Sequence, residues 1–214
     1  KVDKICRKHN IKYWIDFGTL LGAVRHKGFI PWDDDLDICM LSEDYNRFLE
    51  VAPNELPTWL FIQNKNTDPS YKRTICKIRD LNSFFVEQYD DFSAPYKKGI
   101  FIDIFEMIDY PKVSKKSLRF LSKWSKKTDQ FFNVKQYINF KNIVAGMTFP
   151  FIKIFLKIFW KCLYIRKSNN IGCHLVHNPY NSCVNKDYIF PLSEIEFEGK
   201  MFMAPNNPDA CLKA

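Results

Sequence analysis

Asp16-Phe-Gly-Thr-Leu-Leu-Gly-Ala-Val-Arg-His-Lys-Gly-Phe-Ile-Pro-Trp-Asp-Asp-Asp-Leu-Asp37 is the stretch on which the reading of this chain turns. Upstream of it, Val2, Ile5 and Cys6 recur at helical spacing, so a helix ends near Asn10. Tyr13 to Phe17 is a short aromatic and β-branched strand, which Gly18 breaks. Thr19 can then cap a helix through Leu20 and Leu21 to about His26, closed by Gly28. Pro31-Trp32 leads into a second strand, Asp35 to Met40, in which Leu36, Ile38 and Met40 alternate with Asp35, Asp37 and Cys39.

Two features of this stretch carry chemistry. A strand–Gly18-Thr19–helix junction offers backbone N–H groups at the positive end of a helix dipole, with the Thr hydroxyl as a further donor; such a junction can cradle phosphate. Asp35 and Asp37, two apart on a strand, point to the same side. Ionised together they repel, unless a cation lies between them. Carboxylate oxygens suit Mg2+, with Mn2+ the alternative, and leave coordination positions for phosphate oxygens and water. Asp103, isolated in the β-forming run Ile100-Phe-Ile-Asp-Ile-Phe105, is the candidate third ligand. Acidic clusters such as Asp33-Asp34-Asp35 are more often solvated loops, and each element alone is weak; the combination carries the weight.

Beyond it, Ser42, Glu43 and Asp44 open a helix, and Trp59 to Gln63, Thr74 to Arg79 and Phe84 to Gln88 read as strands. From about Ser114 the texture becomes helical and lysine-rich, and Ile195 to Ala204 reads as a hairpin turning at Glu198-Gly199. Strands first and helices later predict an α+β domain with a helical half beside it. The expected division is a catalytic core over 1–110, a helical region over 111–185, and a C-terminal hairpin segment over 186–214 that packs on the core.

Composition sets the bounds. With 46% hydrophobic and 26% charged residues the 214-residue chain is globular, and aromatics reach 16%, mostly 20 Phe. A net charge of +8 suits an anionic partner, which could be nucleotide phosphates, a phosphorylated glycan, an acidic membrane or nucleic acid. Seven scattered Cys, with no C-x-x-C pair, read as reduced thiols facing the cytosol. The opening at Lys1 and the end after Cys211-Leu-Lys-Ala214 read as those of a trimmed fragment.

The 16–37 stretch resembles the defining motif of the LicD family, phosphocholine transferases related to fukutin and fukutin-related protein. The similarity continues in Cys76-Lys-Ile-Arg-Asp80, Gly99-Ile-Phe-Ile-Asp-Ile-Phe105, Phe190-Pro-Leu-Ser-Glu-Ile-Glu-Phe-Glu-Gly199 and Ala204-Pro-Asn-Asn-Pro-Asp209. Over 111–185 it is loose, and the Tyr-Gly-Asp element that usually follows the last block falls beyond this chain. The resemblance implies a nucleotidyltransferase fold of the DNA polymerase β type, a mixed sheet with flanking helices. It assigns Gly18-Thr19 to the cradle and Asp35, Asp37 and Asp103 to the metal. It also implies a CDP-alcohol donor, a glycan or lipid-linked glycan acceptor such as lipopolysaccharide or another cell-surface polysaccharide, and CMP as leaving group. Nucleic acid is not an expected partner. The expected location is cytoplasmic, peripheral on the inner membrane surface, or the Golgi lumen in a eukaryote.

Around this centre Arg25, His26 and Lys27, and Lys77 with Arg79, are candidates for the donor's diphosphate. Trp32 and Phe29 could wall a cage for a quaternary ammonium, although packing is the commoner fate of such rings. Cys173, His174, His177 and Cys183 match zinc ligands in type but not in spacing. In Met147 to Arg166, Lys153, Lys157 and Lys161 form one basic stripe on an otherwise apolar helix. Three charges argue against a transmembrane span and leave a core helix or one lying in a membrane interface, the net charge favouring the membrane. Three other functions fit the same residues: nucleotidyl transfer with pyrophosphate leaving, sugar transfer through an Asp-x-Asp, and a non-catalytic basic module for membranes or nucleic acid. In the last, Asp35, Asp37 and Asp103 would oppose anion binding.

Overall fold

A computed structural model describes residues 1–71, 73, 75–87, 92–133, 139–176 and 183–214. In chain order its elements are α1 (Val2–Lys8), β1 (Trp14–Ile15), α2 (Phe17–His26), β2 (Asp37–Leu41), α3 (Ser42–Glu55), β3 (Leu60–Gln63), β4 (Cys76–Asp80) and β5 (Phe101–Tyr110). There follow α4 (Lys115–Asn133), α5 (Phe140–Leu163), β6 (Asn170–Cys173), β7 (Val184–Asn185), α6 (Lys186–Ile189), β8 (Ser193–Phe197), β9 (Lys200–Ala204) and α7 (Pro208–Lys213). The fold is α+β with a mixed sheet. Two compact units divide the chain, Lys1–Met107 with Asp187–Lys213, and Ile108–Lys186 with Ala214.

In the first unit the sheet runs β1-β2-β5-β4-β3. β2 and β5 are parallel; the other neighbours in this order are antiparallel. Ile38, Met40, Ile78 and Ile104 from these strands meet Ile5, Leu20, Phe48 and Ala52 from the helices in one buried core. Leu36 packs against that core, so the apolar positions between the acids of β2 do anchor the strand. β8 and β9 form the expected hairpin, whose turn residues Glu198 and Gly199 both have positive φ, 49° and 68°. Two left-handed residues in a two-residue loop match the twist of the flanking strands.

Several expected elements differ. Thr19 is not the cap of α2: the helix starts one turn earlier, at Phe17, with Asp16 as its N-cap. Asp35 precedes the β2 ladder, which begins at Asp37. Phe84 to Glu87 is irregular rather than a strand, and Gln88 lies outside the described residues. Phe84 is 69% exposed, while the Phe85 ring packs on Phe101, so this segment uses its aromatics as loop contacts.

In the second unit, β6 pairs with β5 and β7. Tyr110 fills the space beside Gly172, where an added Cβ would lie 2.9 Å from its ring, and donates a hydrogen bond to the Cys173 carbonyl. α5 is a 24-residue helix with Asn139 capping it through Asn142 N. By length and composition alone it could cross a membrane, despite its lysines. It is no core helix: only Phe149 and Leu156 are buried.

Candidate metal and phosphate site

The register of three strands builds the site. Asp37 on β2 lies opposite Asp103 on β5, and Asp103 lies opposite Lys77 on β4. Neighbouring strands are about 4.8 Å apart, so these side chains form a row across one face of the sheet. Asp103 N donates to Leu36 O at 2.8 Å, fixing Asp103 against the segment that carries Asp35 and Asp37. One oxygen from each of Asp35, Asp37 and Asp103 can lie within 4.8 Å of the others, and among the described residues no other group of three or more His, Cys, Asp and Glu gathers in this way.

α2 is tied to the same row. Asp16 accepts from Phe17 N at 2.8 Å and from the Trp14 indole at 3.0 Å, and Asp16 N donates to Asp37 O at 3.2 Å. Thr19 Oγ1 in turn accepts from Asp37 N at 2.8 Å. The buried threonine hydroxyl thus positions Asp37 rather than capping its helix. With Phe17 N held by Asp16, the first-turn N–H groups of Gly18 and Thr19 are those a phosphate could take. A Cβ on residue 18 would stand 2.5 Å from Asp33 Oδ2, so the Asp33 carboxylate lies close against Gly18 and would have to swing aside for a larger residue. Phe17 itself sits at φ 50°, which is costly for a bulky residue, and its N–H is held by the Asp16 carboxylate.

Electrostatics follow from burial and crowding. Burial, reinforced by Asp35, Asp103, Asp33 and Asp16, pushes the Asp37 carboxyl up to about 8. Burial together with Asp33, Asp103 and Asp34 raises Asp35 to about 6. Asp103 is also raised by burial, against the pull of Lys77, and Asp16 is raised by burial against its hydrogen bonds. Lys77 Nζ stands 3.1 Å from Asp103 Oδ2 in a hydrogen bond. It is nearer to Oδ1, at 2.8 Å, but at an angle too poor for one, so Oδ1 is a buried oxygen without a hydrogen bond. The 2.8 Å contact is a charge contact only; the hydrogen-bonding capacity of Oδ1 remains open. An oxygen-only set of three crowded carboxyls, one of whose buried oxygens makes no hydrogen bond, fits a hard divalent cation.

The basic residues divide differently from the sequence expectation. Lys77 is 1% exposed, with its Nζ 3.2 Å from the centroid of the Phe101 ring and 3.4 Å from Glu87. Arg79 is fully buried: Nε donates to Gln63 Oε1 at 2.7 Å and Nη1 to Gly99 O at 2.8 Å. Its guanidinium is thereby a core strut, not a surface group awaiting diphosphate. Arg25 lies in the last turn of α2, about 9 Å along the helix from Thr19. Lys27 pairs with Glu196 at 3.1 Å. Trp32 is 85% exposed, and Phe29 packs edge-on against Phe197, so the two do not form a shared buried wall. His177 lies outside the described residues.

Sequence reasoning missed Asp16 and Asp33 as members of the site, and Gln63 and Glu87 as partners of the buried cations. Only Asp16 had a visible signal, a carboxylate at the end of a strand three residues before Thr19.

The family described as LicD/FKTN/FKRP, nucleotidyltransferase domain, matches residues 10–146, more than half of the chain. This chain belongs to the LicD family. Among LicD relatives, the lipopolysaccharide cholinephosphotransferase LicD of Haemophilus influenzae is 29% identical over 218 residues, covering 94% of this chain and 79% of that protein. An uncharacterized protein of Rickettsia prowazekii is 42% identical over 87 residues, 40% of this chain and 30% of its own length. The human ribitol 5-phosphate transferase FKRP is 50% identical over 34 residues, 16% of this chain and 7% of that protein. The match to the family ends before α5 is complete, whereas the alignment with the Haemophilus protein spans nearly the whole chain.

Proposed function

We propose that this protein is a divalent-metal-dependent transferase that moves phosphocholine, or a similar phospho-alcohol, from a CDP-linked donor to a glycan hydroxyl and releases CMP. The observation that carries it is the convergence of Asp35, Asp37 and Asp103 beside the N-terminus of α2, in a chain whose LicD relatives are named for phosphocholine and ribitol 5-phosphate transfer. Magnesium is the first choice and manganese the alternative; either would neutralise charge on phosphate oxygens as the bond to the leaving group breaks.

Asp35, Asp37 and Asp103 would hold that ion. Gly18 and Thr19 would hold a donor phosphate through their N–H groups. Thr19 Oγ1 and Lys77 keep Asp37 and Asp103 in place, and the Asp33 carboxylate, lying over Gly18, would have to yield to the incoming phosphate. The catalytic core is the first unit, and the nucleotidyltransferase fold type is part of the same proposal.

A thermal-shift screen of CDP-choline, CDP-ribitol, nucleotide-sugars and nucleoside triphosphates, each with Mg2+ or EDTA, tests this reading. A ligand that binds only the folded state stabilises it by mass action, by about 2.7 kcal/mol at a hundred times its Kd, and so raises the midpoint. Stabilisation by a CDP-alcohol, dependent on Mg2+, supports the proposal. Stabilisation by triphosphates alone would favour nucleotidyl transfer, and by nucleotide-sugars alone sugar transfer.

A further inference from the structure

α5 is amphipathic in an unusual sense: it has two apolar faces. One, with Phe149 and Leu156, is buried; Phe149 meets Phe131 of α4 with ring centroids 5.0 Å apart. The other carries Phe140, Met147, Phe151, Ile154, Phe155 and Ile158, between 57% and 83% exposed. At 100° per residue these six fall within about 60° of one line along the helix, a stripe about 27 Å long. Lys153, Lys157 and Lys161 run along one flank between the two faces, and Lys141 stands on the other.

We propose that this second face docks into the surface of an anionic lipid bilayer, with α5 lying in the plane of the interface. An exposed apolar stripe of this size is a liability in water and suits the boundary between head groups and acyl chains. The lysines flanking it are where an in-plane helix needs them, able to bury their stems and reach phosphate with their ammonium groups. A helix crossing the bilayer would need apolar surface all round and would carry Lys153 and Lys157 into hydrocarbon. The charge also selects the occupant: a second copy of the chain would bring the same lysines to the same flank, and repel. This inference is independent of the reaction assigned to the acidic site.

The test is flotation of the 214-residue chain with vesicles of phosphatidylcholine alone or mixed with phosphatidylglycerol, at low and high salt. Each lysine near an anionic surface contributes roughly fivefold in affinity, so three predict a preference of about a hundredfold for the mixed vesicles, collapsing in high salt. Lys153→Glu, Lys157→Glu and Lys161→Glu together should remove the lipid preference. Phe151→Asp with Ile158→Asp should abolish binding while leaving the circular-dichroism melt unchanged, because both side chains are exposed. An environment-sensitive fluorophore on the exposed Cys162 should shift to the blue on binding and be quenched by shallow lipid quenchers. Equal binding to both vesicles, binding to neither, quenching from the bilayer centre, or a stable dimer that Ile158→Asp dissociates would each overturn the proposal.

Discussion

Replacing Asp37 by asparagine should make the metal-free protein more stable while removing its response to metal. Asp37 is 8% exposed and its carboxyl is held at about 8, against an unfolded value of about 3.9. A raised folded-state value means that the stability linked to this group is fully present below about pH 4 and is lost as pH rises through about 8. At pH 7 the metal-free protein must take up a proton on folding, at a cost of about 4 kcal/mol for a three-unit gap. Neighbouring acids share that cost, so roughly 2–4 kcal/mol is the expected gain in Asp37→Asn, or about 5–10 °C in Tm for a chain of this size. The gain should vanish at pH 4 and grow towards pH 8. Differential scanning fluorimetry in EDTA and in saturating Mg2+, across that range, measures both effects. A variant less stable than the parent at pH 7 in EDTA, or one that keeps the full Mg2+ shift, would refute the reasoning.

Other perturbations reach the same row from different sides. Thr19→Val keeps the volume but leaves Asp37 N–H buried without its acceptor, which should cost about 1–3 kcal/mol in urea unfolding and slow turnover by loosening Asp37; an unchanged midpoint would show that the bond contributes nothing. Lys77→Met strips Asp103 of its cation and should cost about 3–5 kcal/mol in EDTA, partly restored by Mg2+; equal loss with and without metal would remove Asp103 from the metal set. Because Asp35 at about 6 and Asp37 at about 8 must ionise to bind a cation, Mg2+ affinity should climb between pH 6 and 8 with release of protons, measurable by calorimetry in buffers of different ionisation enthalpy. A flat profile would place the ion elsewhere.

What could be read from the sequence was what local chemistry dictates. Gly18-Thr19, Asp35, Asp37 and Asp103 were visible because a glycine at a helix start and acids in apolar strands are unusual locally. The Glu198-Gly199 turn was visible through its glycine, which takes a positive φ without steric cost, whereas nothing in Glu198 announces its own φ of 49°. What was not legible depended on register. Nothing local says that Lys77 pairs with Asp103, or that Arg79 reaches Gln63 and Gly99, because β4 meets those partners through strand pairing and a loop distant in sequence. The same holds for Thr19, whose hydroxyl is diverted to Asp37 once Asp16 has taken over the cap. The sequence narrowed α5 to a core or an interfacial helix; only packing against α4 distinguishes its buried face from its exposed one.

The central claim is the fate of the donor's phosphorus. The chain is incubated with Mg2+, a glycan acceptor and CDP-choline labelled either in choline or in cytidine. The account predicts that choline label enters the glycan, that cytidine label leaves as CMP, and that EDTA or Asp37→Asn stops both together. Cytidine bound covalently to the acceptor, or CTP yielding pyrophosphate with the same glycan, would contradict it.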